Sequence, residues 1–129
     1  MSASAWLTVL SVALGGALGS VARHGVGVAA RALWPGWPLG TLVVNVSGSF
    51  AIGVLFGLFL LKPAPDWVRF GLIIGVLGGF TTFSAFSIET VEMLRVEGAW
   101  AASIYVVATL ILGFGACALG LWVARSVLA

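Results

Sequence analysis

The sequence predicts an all-α integral membrane protein with four transmembrane helices, and three observations carry that prediction. Of its 129 residues, 61% are hydrophobic and only 8% are charged, where a soluble domain has roughly 25% charged residues. Residues 1–22, 32–61, 70–88 and 98–124 contain no Asp, Glu, Lys or Arg. Each block approaches or exceeds the roughly 20 apolar residues that cross a bilayer core at about 1.5 Å per residue. The segments between blocks carry Pro, Gly and Trp, the chemistry of turns and of the membrane surface.

The first helix is expected at about 5–30. Its start, Met1-Ser-Ala-Ser-Ala-Trp-Leu7, has no basic n-region, so residues 1–22 are expected to remain as a span rather than be cleaved. The connection Arg31-Ala-Leu-Trp-Pro-Gly-Trp-Pro-Leu-Gly40 leads to a second helix at 39–61. Lys62-Pro-Ala-Pro-Asp-Trp67 leads to a third at 67–94, and a short turn to a fourth at 98–126. All of this forms a single membrane domain. Gly15/Gly19, Gly53/Gly57, Gly71/Gly75 and Gly75/Gly79 have the small-xxx-small spacing that lets helix backbones approach. Cys117 is the only cysteine, which excludes an intrachain disulfide, and it reads as a small packing residue.

The third span holds the anomaly. A glycine pair, Gly78 and Gly79, weakens the helix and is followed by Thr81, Thr82, Phe83, Ser84, Phe86 and Ser87. Free backbone at membrane depth is tolerated only inside protein or beside a water-filled cavity. A helix broken mid-membrane, built to handle an ion, is therefore expected. Carbonyls freed from Gly78 to Thr81 are hard oxygens of the kind that coordinate Na⁺. Phe83 and Phe86 share a helix face, as do Ser84 and Ser87. The rings serve either as ordinary packing or as positive edges turned toward an anion.

Other polar residues carry paired readings. Asn45 is either interhelical glue or an amide donor to an anion. Arg23, within the first helix, either snorkels to the interface or forms a positive funnel at a pore mouth. Tyr105 and Thr109 are four apart and would add hydroxyls to the same path. Glu89 reads as a solvated helix end paired with nearby basic residues.

Four spans place Lys62, Arg69 and Arg125 on one side and Arg23, Arg31 and Arg95 on the other, three against three. Orientation follows Lys/Arg bias, which is zero here. Either the count is too small to decide, or the chain inserts both ways and pairs with an inverted copy of itself. Four short glycine-rich helices can hardly enclose a solvated path alone, which supports the pair. There is no nucleophile–base set, metal-ligand cluster, P-loop or dinucleotide motif, so neither an enzyme nor a nucleic-acid binder is expected. A proton-coupled small multidrug transporter of similar size would need an acid in the first helix, and residues 1–22 have none. A non-transporting accessory subunit, with glycines and asparagine used only for packing, is the other alternative.

The motifs Gly16-Ala-Leu-Gly-Ser-Val-Ala-Arg23, Gly40-Thr-Leu-Val-Val-Asn45 and Gly78-Gly-Phe-Thr-Thr-Phe-Ser-Ala-Phe-Ser-Ile-Glu-Thr90 closely resemble those of the small fluoride-channel family, known as Fluc or CrcB. The resemblance covers nearly the whole chain, in length, helix count and motif order. It implies an antiparallel dual-topology homodimer in a bacterial-type inner membrane. It also implies passive F⁻ export through two parallel pores and a central structural Na⁺. By the same resemblance, Phe83 and Phe86 line the pore, Asn45 supplies its amide, and Arg23 stands near the vestibule. Gly78 and Thr81 would give backbone carbonyls to Na⁺, while Thr82, Ser84, Tyr105 and Thr109 would make or support polar contacts near the rings. His24 departs from the pattern, which has an aromatic after the arginine; an imidazole there introduces a titratable group.

Overall fold

The computed structural model describes residues 2–128. In chain order these form α1 (Ala3–Leu33), α2 (Leu39–Leu61), α3 (Asp66–Phe70), a π-helical stretch (Gly71–Leu77), α4 (Gly78–Phe80), α5 (Phe83–Val96) and α6 (Ala99–Leu128). Four helical spans among the described residues are long and apolar enough to cross a bilayer: Ala3–Leu33, Leu39–Leu61, Asp66–Val96 and Ala99–Val127. The protein is a multi-pass membrane protein, and its third span is composite.

Local chemistry sets the ends of the helices. Ser2 caps α1, its hydroxyl accepting from the Ala5 N–H at 3.3 Å. The first turn needs Gly36, whose φ of +96° lies in the left-handed region that other residues avoid. Gly98, at φ +93°, closes α5 in the same way, with the Glu97 and Gly98 N–H groups both donating to the Met93 carbonyl.

The helices pack as two close pairs: α1 runs along the π-helical stretch and α4, and α2 runs along α6. Lipid tails are as apolar as leucine, so these contacts rely on backbone proximity instead of expulsion of water. A methyl group built on Gly15 would meet the Gly71 carbonyl at 2.5 Å, and one on Gly19 would strike the Val76 carbonyl. In the other pair, methyls on Gly53 and Gly120 would strike the Cys117 and Phe50 carbonyls. The two pairs are tied together by a small core of Phe86, Met93, Ala102 and Tyr105, with Leu42 of α2 packed against it.

Two features of the third span differ from the sequence reading. The π-helical turns have no counterpart in it. Gly78 and Gly79, expected at the interruption, are helical residues of α4; the extended residues are Thr81 (φ −78°, ψ 160°) and Thr82 (φ −154°, ψ 122°). Gly79 is small because it rests on α1, where a methyl would meet the Gly16 carbonyl at 2.5 Å. Gly79 therefore serves packing, whereas a methyl on Gly78 would meet only the Ile73 carbonyl at 3.8 Å. The bend falls at two β-branched residues, which suit extended backbone.

Gly19→Ala is expected to lower the unfolding temperature in detergent, since overpacking a tight contact costs about 1–3 kcal/mol. A methyl on Gly115, by contrast, would meet nothing within 4 Å. Gly115→Ala should therefore leave stability unchanged or raise it by up to about 1 kcal/mol, the helix-propensity difference.

Candidate functional site

The candidate site is built around Thr82, whose backbone has left the helix but is not left unpaired. Asn45 of α2 accepts from the Thr82 N–H through Oδ1 at 2.8 Å and donates from Nδ2 to the Thr82 carbonyl at 3.0 Å. The side-chain amide thus acts as a neighbouring peptide would. This pair of hydrogen bonds between α2 and the third span explains why the interruption is tolerated. One amide hydrogen of Asn45 remains for another acceptor.

The chain restarts as a helix immediately. Thr82 is the N-cap of α5, its Oγ1 accepting from the Ala85 N–H at 3.1 Å. Thr81 turns its hydroxyl back to the Leu77 carbonyl at 2.9 Å. Its methyl sits over Gly48, where any side chain would strike it. Because Thr82 gives its N–H to Asn45, the Gly78 carbonyl loses its helical donor, and the other carbonyls at the end of α4 are helix-terminal.

An open cleft of about 330 Å³ runs beside this point, with Asn45, Gly78, Thr81, Thr82, Phe83, Phe86 and Thr109 in its lining. It has no Asp, Glu, Lys or Arg among its described lining residues. Phe83 is 78% exposed while Phe86 is only 9% exposed. Their ring centroids lie 5.8 Å apart at 50°, and Phe86 continues to Tyr105 at 5.4 Å. The rings thus form a tilted aromatic row. Ser84 Oγ lies 3.2 Å from Thr82 Oγ1. Since Thr82 Oγ1 accepts from Ala85, it can donate to Ser84, freeing the Ser84 hydrogen. Thr109 donates to the Tyr105 carbonyl at 2.7 Å, which leaves only its lone pairs toward the cleft.

A second cleft, of about 340 Å³, is lined by Arg23, His24 and Arg31 of α1 together with Thr41, Thr82 and Glu89. Arg23 therefore sits apart from the aromatic row, and Thr82 touches both clefts. Here the sequence reading needs correction at Glu89, which forms an ion pair with no basic residue among the described residues. Its Oε1 accepts from the Thr41 hydroxyl at 2.7 Å and its Oε2 from the Tyr105 hydroxyl at 2.8 Å. The carboxylate thus joins α2, α5 and α6 through neutral donors, and the Tyr105 hydroxyl is committed to it. Thr41 and Gly48 were missed as site residues because their partners are distant in sequence. Among the described residues, no buried side-chain nitrogen or oxygen lacks a hydrogen bond.

A small helical membrane protein with an interrupted span, an aromatic row beside an uncharged cleft and a second cleft bordered by arginines has the features of the class that handles ions or small solutes within the bilayer. The family model described as "CrcB-like protein, Camphor Resistance (CrcB)" matches residues 10–121. The chain is 51% identical over 123 residues to a fluoride-specific ion channel FluC of Hyphomonas neptunium, covering 93% of this chain and 97% of that one. It is 45% identical over 122 residues to a protein of the same name from Paracoccus denitrificans, covering 95% and 98%. A third relative, fluoride-specific ion channel FluC 1 of Nitrobacter hamburgensis, is 43% identical over 122 residues, covering 93% and 97%. The chain belongs to the CrcB family.

Asn45→Leu is expected to lower stability in detergent, since the stranded Thr82 N–H costs about 1–3 kcal/mol. Hydrogen exchange at the Thr82 and Phe83 amides should rise in the same variant. Unchanged exchange would show that Asn45 does not hold the bend.

Proposed function

We propose that the protein is a fluoride channel, not an enzyme, that lets F⁻ leave the cell passively. The carrying observation is the uncharged cleft with neutral donors around an aromatic row. Fixed positive charge would hold an anion too tightly to release it, whereas weak distributed donors allow entry and exit. The Phe83 and Phe86 ring edges, the Ser84 hydroxyl and the second Asn45 amide hydrogen are donors of that kind. Arg23, in the neighbouring cleft, raises the local concentration of anions at the entrance. The names of the relatives supply the identity of the anion.

The working unit is an antiparallel dual-topology homodimer with two pores, in a bacterial-type inner membrane. The exposed Phe83 ring and the balance of Lys/Arg, three on each side, support this reading. Thr81 and Thr82 fall at the centre of the Asp66–Val96 span, so in this reading the bend sits near the bilayer midplane. Two inverted bends then face each other on the two-fold axis. The Gly78 and Thr81 carbonyls suit Na⁺, since both residues line the open cleft and hard oxygens are its preferred ligands. Bound there, Na⁺ would supply the positive charge that holds the paired carbonyls of two protomers together. The driving force for F⁻ needs no coupling, because a membrane negative inside expels an anion with about 2.3 kcal/mol per 100 mV.

Electrogenic F⁻ efflux from proteoliposomes, without a proton gradient, tests the channel. Phe83→Ile and Phe86→Ile should each cut efflux by an order of magnitude or more while the dimer stays intact, about the effect of losing 1.4 kcal/mol of anion stabilisation. Wild-type efflux in both variants would remove the aromatic mechanism, and replacing Na⁺ throughout should slow efflux. An impermeant thiol reagent applied to one side of an Ala64→Cys, Cys117→Ser variant should label about half the chains, as an inverted pair requires. Complete labelling would end the dual-topology reading.

A further inference from the structure

The cleft bordered by arginines also holds His24, the one histidine of the chain. Ser20, His24, Gly27 and Arg31 are spaced four, three and four residues apart, so they share one face of α1 and line this cleft beside Arg23. Gly27 leaves room for Arg31 to fold back toward His24, since a methyl built on Gly27 would lie 3.7 Å from Arg31 Nη1. Across the cleft, α5 contributes Glu89, whose oxygens accept from the Thr41 and Tyr105 hydroxyls. The lining from α2 includes no titratable group.

The positive charge here is not neutralised from within. Among the described residues, Arg23, His24 and Arg31 form no ion pair with a carboxylate. Two guanidinium groups and one carboxylate leave a single positive charge while His24 is neutral, and its protonation doubles that charge. A second copy does not supply the missing anions. In the inverted pair its other end would stand at this face, with Lys62, Arg69 and Arg125 against the one acidic side chain of Asp66, and like charges brought together repel. The cleft therefore stays in water, with His24 and Arg31 exposed and Arg23 half-buried.

We propose that His24 puts anion capture at this mouth under proton control. Its imidazolium, added to Arg23 and Arg31, raises the F⁻ concentration beside the path and speeds efflux; deprotonation withdraws that contribution. The inference rests on the fluoride-channel reading. Imidazole is the side chain whose ordinary charge change falls between about pH 5 and 8. Each HF that crosses the bilayer as the neutral acid and dissociates inside releases one F⁻ and one proton. A fluoride load and acidification of the cytoplasm therefore arrive together, and protonated His24 hastens exit when the load is greatest.

Fluoride efflux from proteoliposomes of the full-length protein, at equal pH on both faces and corrected for HF leak through protein-free vesicles, tests it. Efflux at about pH 5.5 should exceed that at about pH 8 by about twofold to fivefold, the effect of one unit charge about 4–8 Å from the ion in water. His24→Gln should hold the lower rate at both pH values, and His24→Arg the higher rate at both. Potassium gluconate at about 1 M should shrink the wild-type difference, because the Debye length falls to about 3 Å. An undiminished pH difference in His24→Gln would overturn the proposal and assign the effect to Glu89. Efflux that ignores pH in the wild type would overturn it while leaving the channel reading intact, whereas no efflux at either pH would remove the channel reading and this inference with it. The single histidine also gives an isolated NMR signal in ring-labelled protein, independent of transport, and a resonance fixed from about pH 5 to 8 would overturn the proposal.

Discussion

The structure depends on a constraint imposed by hydrocarbon: no backbone polar group there can be left without a partner. A continuous helix meets that requirement by itself, but the third span does not. Two residues at its centre leave the helix, and Asn45 of a different span supplies the acceptor that the Thr82 N–H has lost and a further donor to the Thr82 carbonyl. Thr82 then caps α5 and Thr81 closes α4. The bend is thus held by a set of hydrogen bonds that ties α2 to the third span and leaves the Gly78 carbonyl without its helical donor.

That set governs everything near it. Gly48 has to be bare so that Thr81 can turn toward α2. Phe83 and Phe86 point where they do because α5 restarts at Phe83, which fixes Phe83 next to the cap and Phe86 about one turn beyond it. On the other face of the same bend, Glu89 gathers hydroxyls from α2 and α6. Two clefts of different character, one neutral and one bordered by arginines, therefore share Thr82 as their common wall.

The four spans and their glycine contacts were legible because charge gaps and residue spacing are one-dimensional signals. The glycine pair and the hydroxyls after it pointed to this stretch of the third span, but not to Thr81 and Thr82 as the residues that leave the helix. Gly79 reads the same in sequence whether it ends a helix or lets one lie against α1, and only the neighbour at Gly16 decides. The π-helical stretch has no signature in Gly71-Leu-Ile-Ile-Gly-Val-Leu77, since a changed hydrogen-bond register needs no special residues. The partners of Asn45 and Glu89 are 37 and 48 residues distant for Thr82 and Thr41. A lone Asn or Glu within an apolar span does not reveal such a partner.

The two sides of the bend also differ in electrostatic sign. The run ending at Phe80 presents carbonyl oxygens, the negative end of a helix dipole, while α5 begins at Phe83 with N–H groups, the positive end of another. Only Thr81 and Thr82 separate them. A single kink thus creates adjacent regions of opposite potential without a formal charge in the neutral cleft, so ions of either sign can be met there by peptide geometry alone.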